Sequence, residues 1–176
     1  EIYQKLGLQY IPPELREDIG EIPLAQQKKI PLLVEQKDVQ GDFQTQTTWS
    51  DGSHSIAEMV KKAQQLGWKY MAITDHVGAI GVAHPLDRKR LLQQSKEIDK
   101  LNKTSPVRIL KGAEVDILKD GSLAMDKKTL QELDIVLASV HSAFKMSEAE
   151  MTKRIIHALE NYPVTILAHP TGRRIT

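Results

Sequence analysis

From Val39 onward the chain alternates between two hydrophobic rhythms. Short apolar, β-rich runs occur in "DFQTQT", "KYMAITDH", "VRILKGAEVDI", "DIVLASVHS" and "VTILAHP". Between them lie longer stretches whose apolar residues recur at helical spacing. Ser55-Ile56-Ala57-Glu58 is a capping box that opens "SIAEMVKKAQQLG", and Gly67 closes that helix. "PLDRKRLLQQSKEIDKLNK" combines helical spacing with good helix formers. Ser147-Glu148-Ala149-Glu150 is a second capping box, opening "SEAEMTKRIIHALENY", with Pro163 beyond its end. Five strands alternating with helices predict parallel βα units.

The chain before Val39 reads differently. "YIPPELREDIGEIPLAQQKKIPLLVE" carries Pro12, Pro13, Pro23 and Pro31, which leave room for only short helical pieces. Residues 1–38 therefore read as a connector or arm, and residues 39–176 as an α/β domain. The first residues, "EIYQKLGLQY", include no initiator Met, so the chain is expected to be a piece of something longer.

Composition narrows the picture. The 176 residues are 40% hydrophobic and 27% charged, the balance of a globular domain with a sizeable core. A net charge of +1 supplies no general attraction to nucleic acid, so any DNA contact must be local. The absence of cysteine excludes a disulfide framework and thiolate metal sites. No apolar run approaches the roughly 20 residues that span a bilayer, and no signal-peptide pattern opens the chain. It is read as cytoplasmic, without a membrane partner.

Parallel α/β folds place their chemistry at the carboxyl ends of the strands. Those ends carry Gln44 and Gln46, Asp75 and His76, Glu114 and Asp116, His141, and His169. A lone histidine in such a place is usually a satisfied core or capping residue. Three of them, with a carboxylate between, point to a shared polar site. Imidazoles and a carboxylate suit Zn, Mn or Fe, and three protein ligands plus water is the catalytic arrangement. Glu114, His141 and His169 fit one centre, and Asp51 and His76 supply part of a second. Two neighbouring metals suit phosphoester cleavage, since they activate water and clamp the attacking and leaving oxygens. His54, His84 and His157 are read as surface residues. Arg173 and Arg174 form a small basic spot near the fifth strand end, with Arg173 the candidate for a substrate phosphate.

"GDFQTQTTWSDG", "AITDH", "GAEVDIL", "ASVHSAF" and "AHPTGR", in this order and spacing, resemble the PHP (polymerase and histidinol phosphatase) domain. More narrowly, "LGLQYIPPELRED" followed by this pattern is similar to the C-terminal portion of bacterial family X DNA polymerases, where such a segment joins the polymerase core to a PHP domain. The resemblance implies an α/β fold, a distorted (βα)7 TIM-like barrel with up to three metals at its strand ends. It also implies that the parent is a DNA-directed DNA polymerase acting in repair and gap filling, with DNA as its partner. Active members of the family are phosphoesterases with Mn-dependent 3′–5′ exonuclease or end-trimming activity.

Carried over by position, Asp51, His76, Glu114, His141 and His169 match the family's metal ligands, with Glu114, His141 and His169 as the catalytic set. Two departures matter. Gln44 and Gln46 stand where the family has His-x-His, and a neutral amide oxygen is a weaker ligand than imidazole. The family's late Asp-x-His is absent from a chain ending at Thr176, so about five βα units are expected and about two strands are missing. The open edges on the first and fifth strands are expected to leave the piece marginally stable or paired edge to edge as a dimer. The cofactor expected is a divalent metal, Mn or Zn, at partial occupancy or absent. Three readings follow: a degenerate PHP module that is mainly structural, a working phosphoesterase on DNA ends with a reduced metal set, or a stand-alone hydrolase of the histidinol phosphatase kind.

Overall fold

The computed structural model describes residues 1–78 and 83–171. Two compact units divide the chain, Glu1–Val39 and Gln40–Thr176.

In the first unit, α1 (Ile2–Lys5) and α2 (Glu21–Gln26) are short, as the proline spacing requires, and 3-10 turns cover Pro13–Leu15 and Gln36–Asp38. Ile11, Ala25 and Ile30 form a small apolar centre with Tyr3, Leu8 and Leu15. Arg16 packs over the rings of Tyr3 and Tyr10, at 5.8 and 5.7 Å from their centroids.

The second unit runs β1 (Gly41–Thr45), α3 (Ile56–Gln65), β2 (Tyr70–Ile73), β3 (His76–Val77), α4 (Arg88–Leu101), β4 (Arg108–Asp116), α5 (Lys127–Leu130), β5 (Ile135–Ser139), α6 (Glu148–Asn161) and β6 (Ile166–Leu167). Every named strand pair is parallel. The order is β1-β2-β4-β5-β6, with β3 on the upper half of β4. This is a curled parallel sheet of βα units, an open half-barrel. The run "KYMAITDH" gives two strands instead of one. It breaks at Thr74 and Asp75, whose side chains are taken up by bonds to the chain around the end of β1.

Alternation along the strands separates two apolar layers. Met71, Ile73 and Ile109 pack with Ile56, Val60 and Ala63 of α3 and Ile98 of α4. Val136 and Ala138 join Leu91 and Ala158 of α4 and α6. The intervening residues Ala72, Ile135 and Leu137 meet Leu110, Ile166 and Ala168 on the other face. Residues of both parities are buried along β2 and β5, which is why these strands read as continuous apolar runs instead of alternating ones. Continuing the second parity toward the carboxyl ends carries Leu110 to Glu114 and Asp116, Leu137 to Ser139 and His141, and Ala72 to Thr74 and His76. The apolar inner face thus turns polar at the strand ends, and the site forms there.

Both capping boxes form, at Ser55–Glu58 and Ser147–Glu150. Gly67 takes φ +73° just past α3, a backbone that favours glycine. Among the described residues no helix is long and apolar enough to cross a membrane.

Candidate metal centre

The loop after β1 is held from below. Asp75 is fully buried, and its carboxylate accepts from Thr47 N (2.7 Å), Thr47 Oγ1 (2.7 Å), Ser50 N (3.1 Å), Ser50 Oγ (2.5 Å) and Gln94 Nε2 (2.5 Å). These bonds fix residues 47–50 against α4, and they explain a buried glutamine on that helix. Trp49 adds a bond from Nε1 to Glu97 Oε2 at 3.0 Å and lies under Arg90, which also donates to the Trp49 carbonyl. Thr45 is buried too, with Thr45 N on Thr74 Oγ1 at 2.9 Å and Thr45 Oγ1 on the Ala72 carbonyl at 2.6 Å.

Gln44 and Gln46, on the opposite parity, face Glu114. Each donates its amide Nε2 to Glu114 Oε2 over 3.0 Å. His76 Nδ1 stands 3.7 Å from the same oxygen and, although buried, has no hydrogen-bond partner among the described residues. His76 Nε2 lies 3.8 Å from Asp51 Oδ1.

The other carboxylate oxygen faces imidazoles. Glu114 Oε1 is 3.2 Å from His141 Nε2, 3.0 Å from His169 Nε2 and 2.8 Å from Ser139 Oγ. The two ring nitrogens are 3.3 Å apart. Glu114, 2% exposed, therefore divides the site into an imidazole side at Oε1 and an amide side at Oε2.

Burial works to raise the Glu114 pKa. Bonds from His141, Ser139, His169 and Gln44 outweigh it and hold the carboxyl well below the ordinary range. His141 is pushed the other way, up to about 9, by Asp116 on its Nδ1 and Glu114 on its Nε2 against the opposing effect of burial.

His141 Nε2, His169 Nε2 and Glu114 Oε1 stand 3.0–3.3 Å apart. A tetrahedral ion with bonds of about 2.0–2.1 Å separates its ligand atoms by roughly 3.3 Å, so these atoms fit one face of such a set. His76, Glu114 and His141 form an overlapping group whose ligand atoms all lie within 4.8 Å of one another. His76 Nδ1, buried and without a partner among the described residues, is free to act as a ligand atom in that group. The chain thus carries a His/Glu cluster whose geometry could hold a metal ion.

His169 sits at a non-glycine φ of +31°. Strand alternation would send it to the side of Leu167, and the ring meets Glu114 only because the backbone leaves strand geometry there. Strain of this kind collects at functional positions. Of the residues singled out from sequence, Gln44, Gln46, Asp51, His76, Glu114, His141 and His169 lie in one neighbourhood, while Arg173 and Arg174 fall outside the described residues. His54, His84 and His157 are exposed.

Sequence reasoning assigns no role to Asp75, Asp116, Ser139 or Arg154. Parity was the signal available for Asp116 and Ser139, which share a face with Glu114 and His141. Nothing local marks Arg154, a buried arginine in the middle of a helix.

The PHP domain family matches residues 42–169. The DNA polymerase/3′-5′ exonuclease PolX of Bacillus subtilis (strain 168) is 47% identical over 176 residues, covering 99% of this chain and 30% of that protein. A probable phosphatase of Thermoanaerobacter sp. (strain X514) is 35% identical over 135 residues, 73% of this chain and 53% of that protein. The crystal structure of histidinol phosphate phosphatase from Lactococcus lactis, complexed with zinc, L-histidinol and phosphate, is 18% identical with a TM-score of 0.43, covering 60% of this chain and 41% of that one. The chain thus spans 30% of the length of the Bacillus relative and about half that of the phosphatase.

Proposed function

The chain belongs to the PHP domain family, and from that premise we propose that it is the PHP module of a family X type DNA polymerase whose metal centre has been cut down to one ion and whose role is mainly structural. The observation that carries this is the pair of amide bonds on Glu114 Oε2. Where two imidazoles would leave lone pairs for a cation, Gln44 and Gln46 turn N–H groups toward the carboxylate and satisfy it without one.

In this reading residues 1–38 are an arm leading from the polymerase core and residues 39–176 the PHP domain. DNA is the partner of the whole protein, which acts in the cytoplasm. The ion, Mn or Zn, would be held by Glu114 Oε1, His141 and His169, with His76 and Asp51 at its flank; Arg173 is proposed from sequence alone as the contact for a substrate phosphate. When bound, such an ion lowers the pKa of water and offsets charge on a phosphate oxygen. The chain's own part is to keep Glu114 ionised and to aim the imidazoles at one point.

A second reading is residual phosphoester hydrolysis, as exonuclease or end-trimming activity. It is favoured by the 3.0–3.3 Å spacing of the Oε1-side atoms. Metal content and Mn-dependent 3′–5′ exonuclease rate of the full-length protein, with and without Glu114→Ala, decide between the two. At most one ion per chain and a rate untouched by the substitution support the structural module. Robust nuclease activity that Glu114→Ala abolishes overturns it.

A further inference from the structure

Asp116, the last residue of β4, lies two positions beyond Glu114 and is buried. Its Oδ1 is 2.7 Å from His141 Nδ1, on the side of the ring away from Glu114 and His169. Because Nδ1 is engaged there, a neutral His141 carries its proton on Nδ1 and leaves the lone pair of Nε2 facing Glu114 Oε1 and His169 Nε2.

Two further features hold Asp116 in place. Gly78, at φ +150°, leaves the space that the carboxylate fills, and a Cβ at that position would run into Asp116 Oδ2. Arg154 of α6, only 2% exposed, ties together the two chain segments that leave the site. Its guanidinium donates to the carbonyls of Ile117 and Leu118, just past Asp116, and to the carbonyl of Ser142, just past His141, over 2.9 Å. One buried cation thereby keeps the end of β4 and the loop after β5 in fixed relation.

We propose that Asp116 is the positioning residue of this centre: set by Gly78 and Arg154, it fixes the tautomer and tilt of His141 so that Nε2 is offered to a divalent ion. Outer carboxylates on metal-binding histidines act in this way and set the basicity of the ring. The inference rests on the single-ion reading above, and it concerns a residue that does not itself touch the ion.

The test measures Zn binding to the full chain by calorimetry together with the ring 15N shifts of His141, for the parent sequence, Asp116→Ala and Asp116→Asn. Asp116→Asn nearly preserves shape, so it keeps the test open if the alanine variant fails to fold. Its amide can donate to Nδ1 and move the ring proton to Nε2. Both variants are expected to weaken Zn by about 10- to 100-fold. Above the pH at which the metal-free ring becomes neutral, the Nδ1–H form should give way to a mixture or to Nε2–H. A merely structural role would lower the melting temperature without changing the tautomer. Variants that keep both the affinity and the Nδ1–H tautomer of the parent sequence overturn the proposal. Should the parent sequence bind no Zn at all, the single-ion reading fails, and the tautomer measurement in metal-free protein still decides the role of Asp116.

Discussion

Gln46 Nε2 and Glu114 Oε2 are joined over 3.0 Å, and Gln44 Nε2 reaches the same oxygen at the same distance. Two neutral donors therefore occupy the lone pairs that would bridge to a second ion. Replacing them together, Gln44→His plus Gln46→His, is expected to raise bound Mn from one ion per chain toward two. Metal analysis after dialysis checks this. Unchanged stoichiometry would mean that the amides are not what keeps the second ion out.

His76 separates stability from binding. Its Nδ1 is buried without a partner among the described residues, an arrangement that costs free energy. His76→Leu is expected to leave metal-free stability within about 0.5 kcal/mol of the parent sequence, or to raise it, while weakening ion binding. Urea titration in chelator, set beside calorimetry with Mn, reads both quantities. A large loss of metal-free stability would show that the ring is held by contacts other than those described.

Asp75 should behave in the opposite way. Its carboxylate gathers bonds from Thr47, Ser50 and Gln94 with no metal involved. Asp75→Asn puts an N–H group among donors and leaves some of them unsatisfied. The expected loss is about 2–4 kcal/mol in chelator, measured by urea unfolding. A loss below about 1 kcal/mol would mean that the loop holds itself without this carboxylate.

The two shifted groups predict how metal-free stability depends on pH. His141 is raised from 6.5 to about 9 in the folded chain, so its protonated ring is favoured by folding. That contribution is complete below about pH 6.5 and is lost as pH climbs through about 9. Glu114 is lowered, so its contribution is present above its ordinary value of 4.5 and is lost only in acid. Thermal melts in chelator should therefore decline between about pH 6 and 10, and His141→Leu should flatten that decline. A parent profile already flat over this range would contradict the assigned ion pairs.

Much of this centre was legible in the sequence because strand ends are easy to find. An apolar run that closes on His, Asp or Glu announces where a parallel strand stops, and that reading singles out Glu114, His141 and His169, which the fold brings within 3.0–3.3 Å of one another. What escaped were relations that depend on two elements at once. The break between β2 and β3 arises from bonds that Thr74 and Asp75 make to the chain around Thr45 and Thr47, and no property of "KYMAITDH" alone encodes them. Arg154 reads as a surface charge on an amphipathic helix until the chain past β4 is laid across it. Gln94 likewise has a reason to be buried only once Asp75 is beneath it.

In "QTQT" the odd and even positions answer to different demands. Thr45 and Thr47 anchor the backbone through Ala72, Thr74 and Asp75, while Gln44 and Gln46 reach the carboxylate of Glu114. Architecture and chemistry are thus written on alternate letters of one short word. Imidazole and amide can be exchanged at the two glutamine letters without touching the threonine anchors, so such a change of chemistry need not cost the fold.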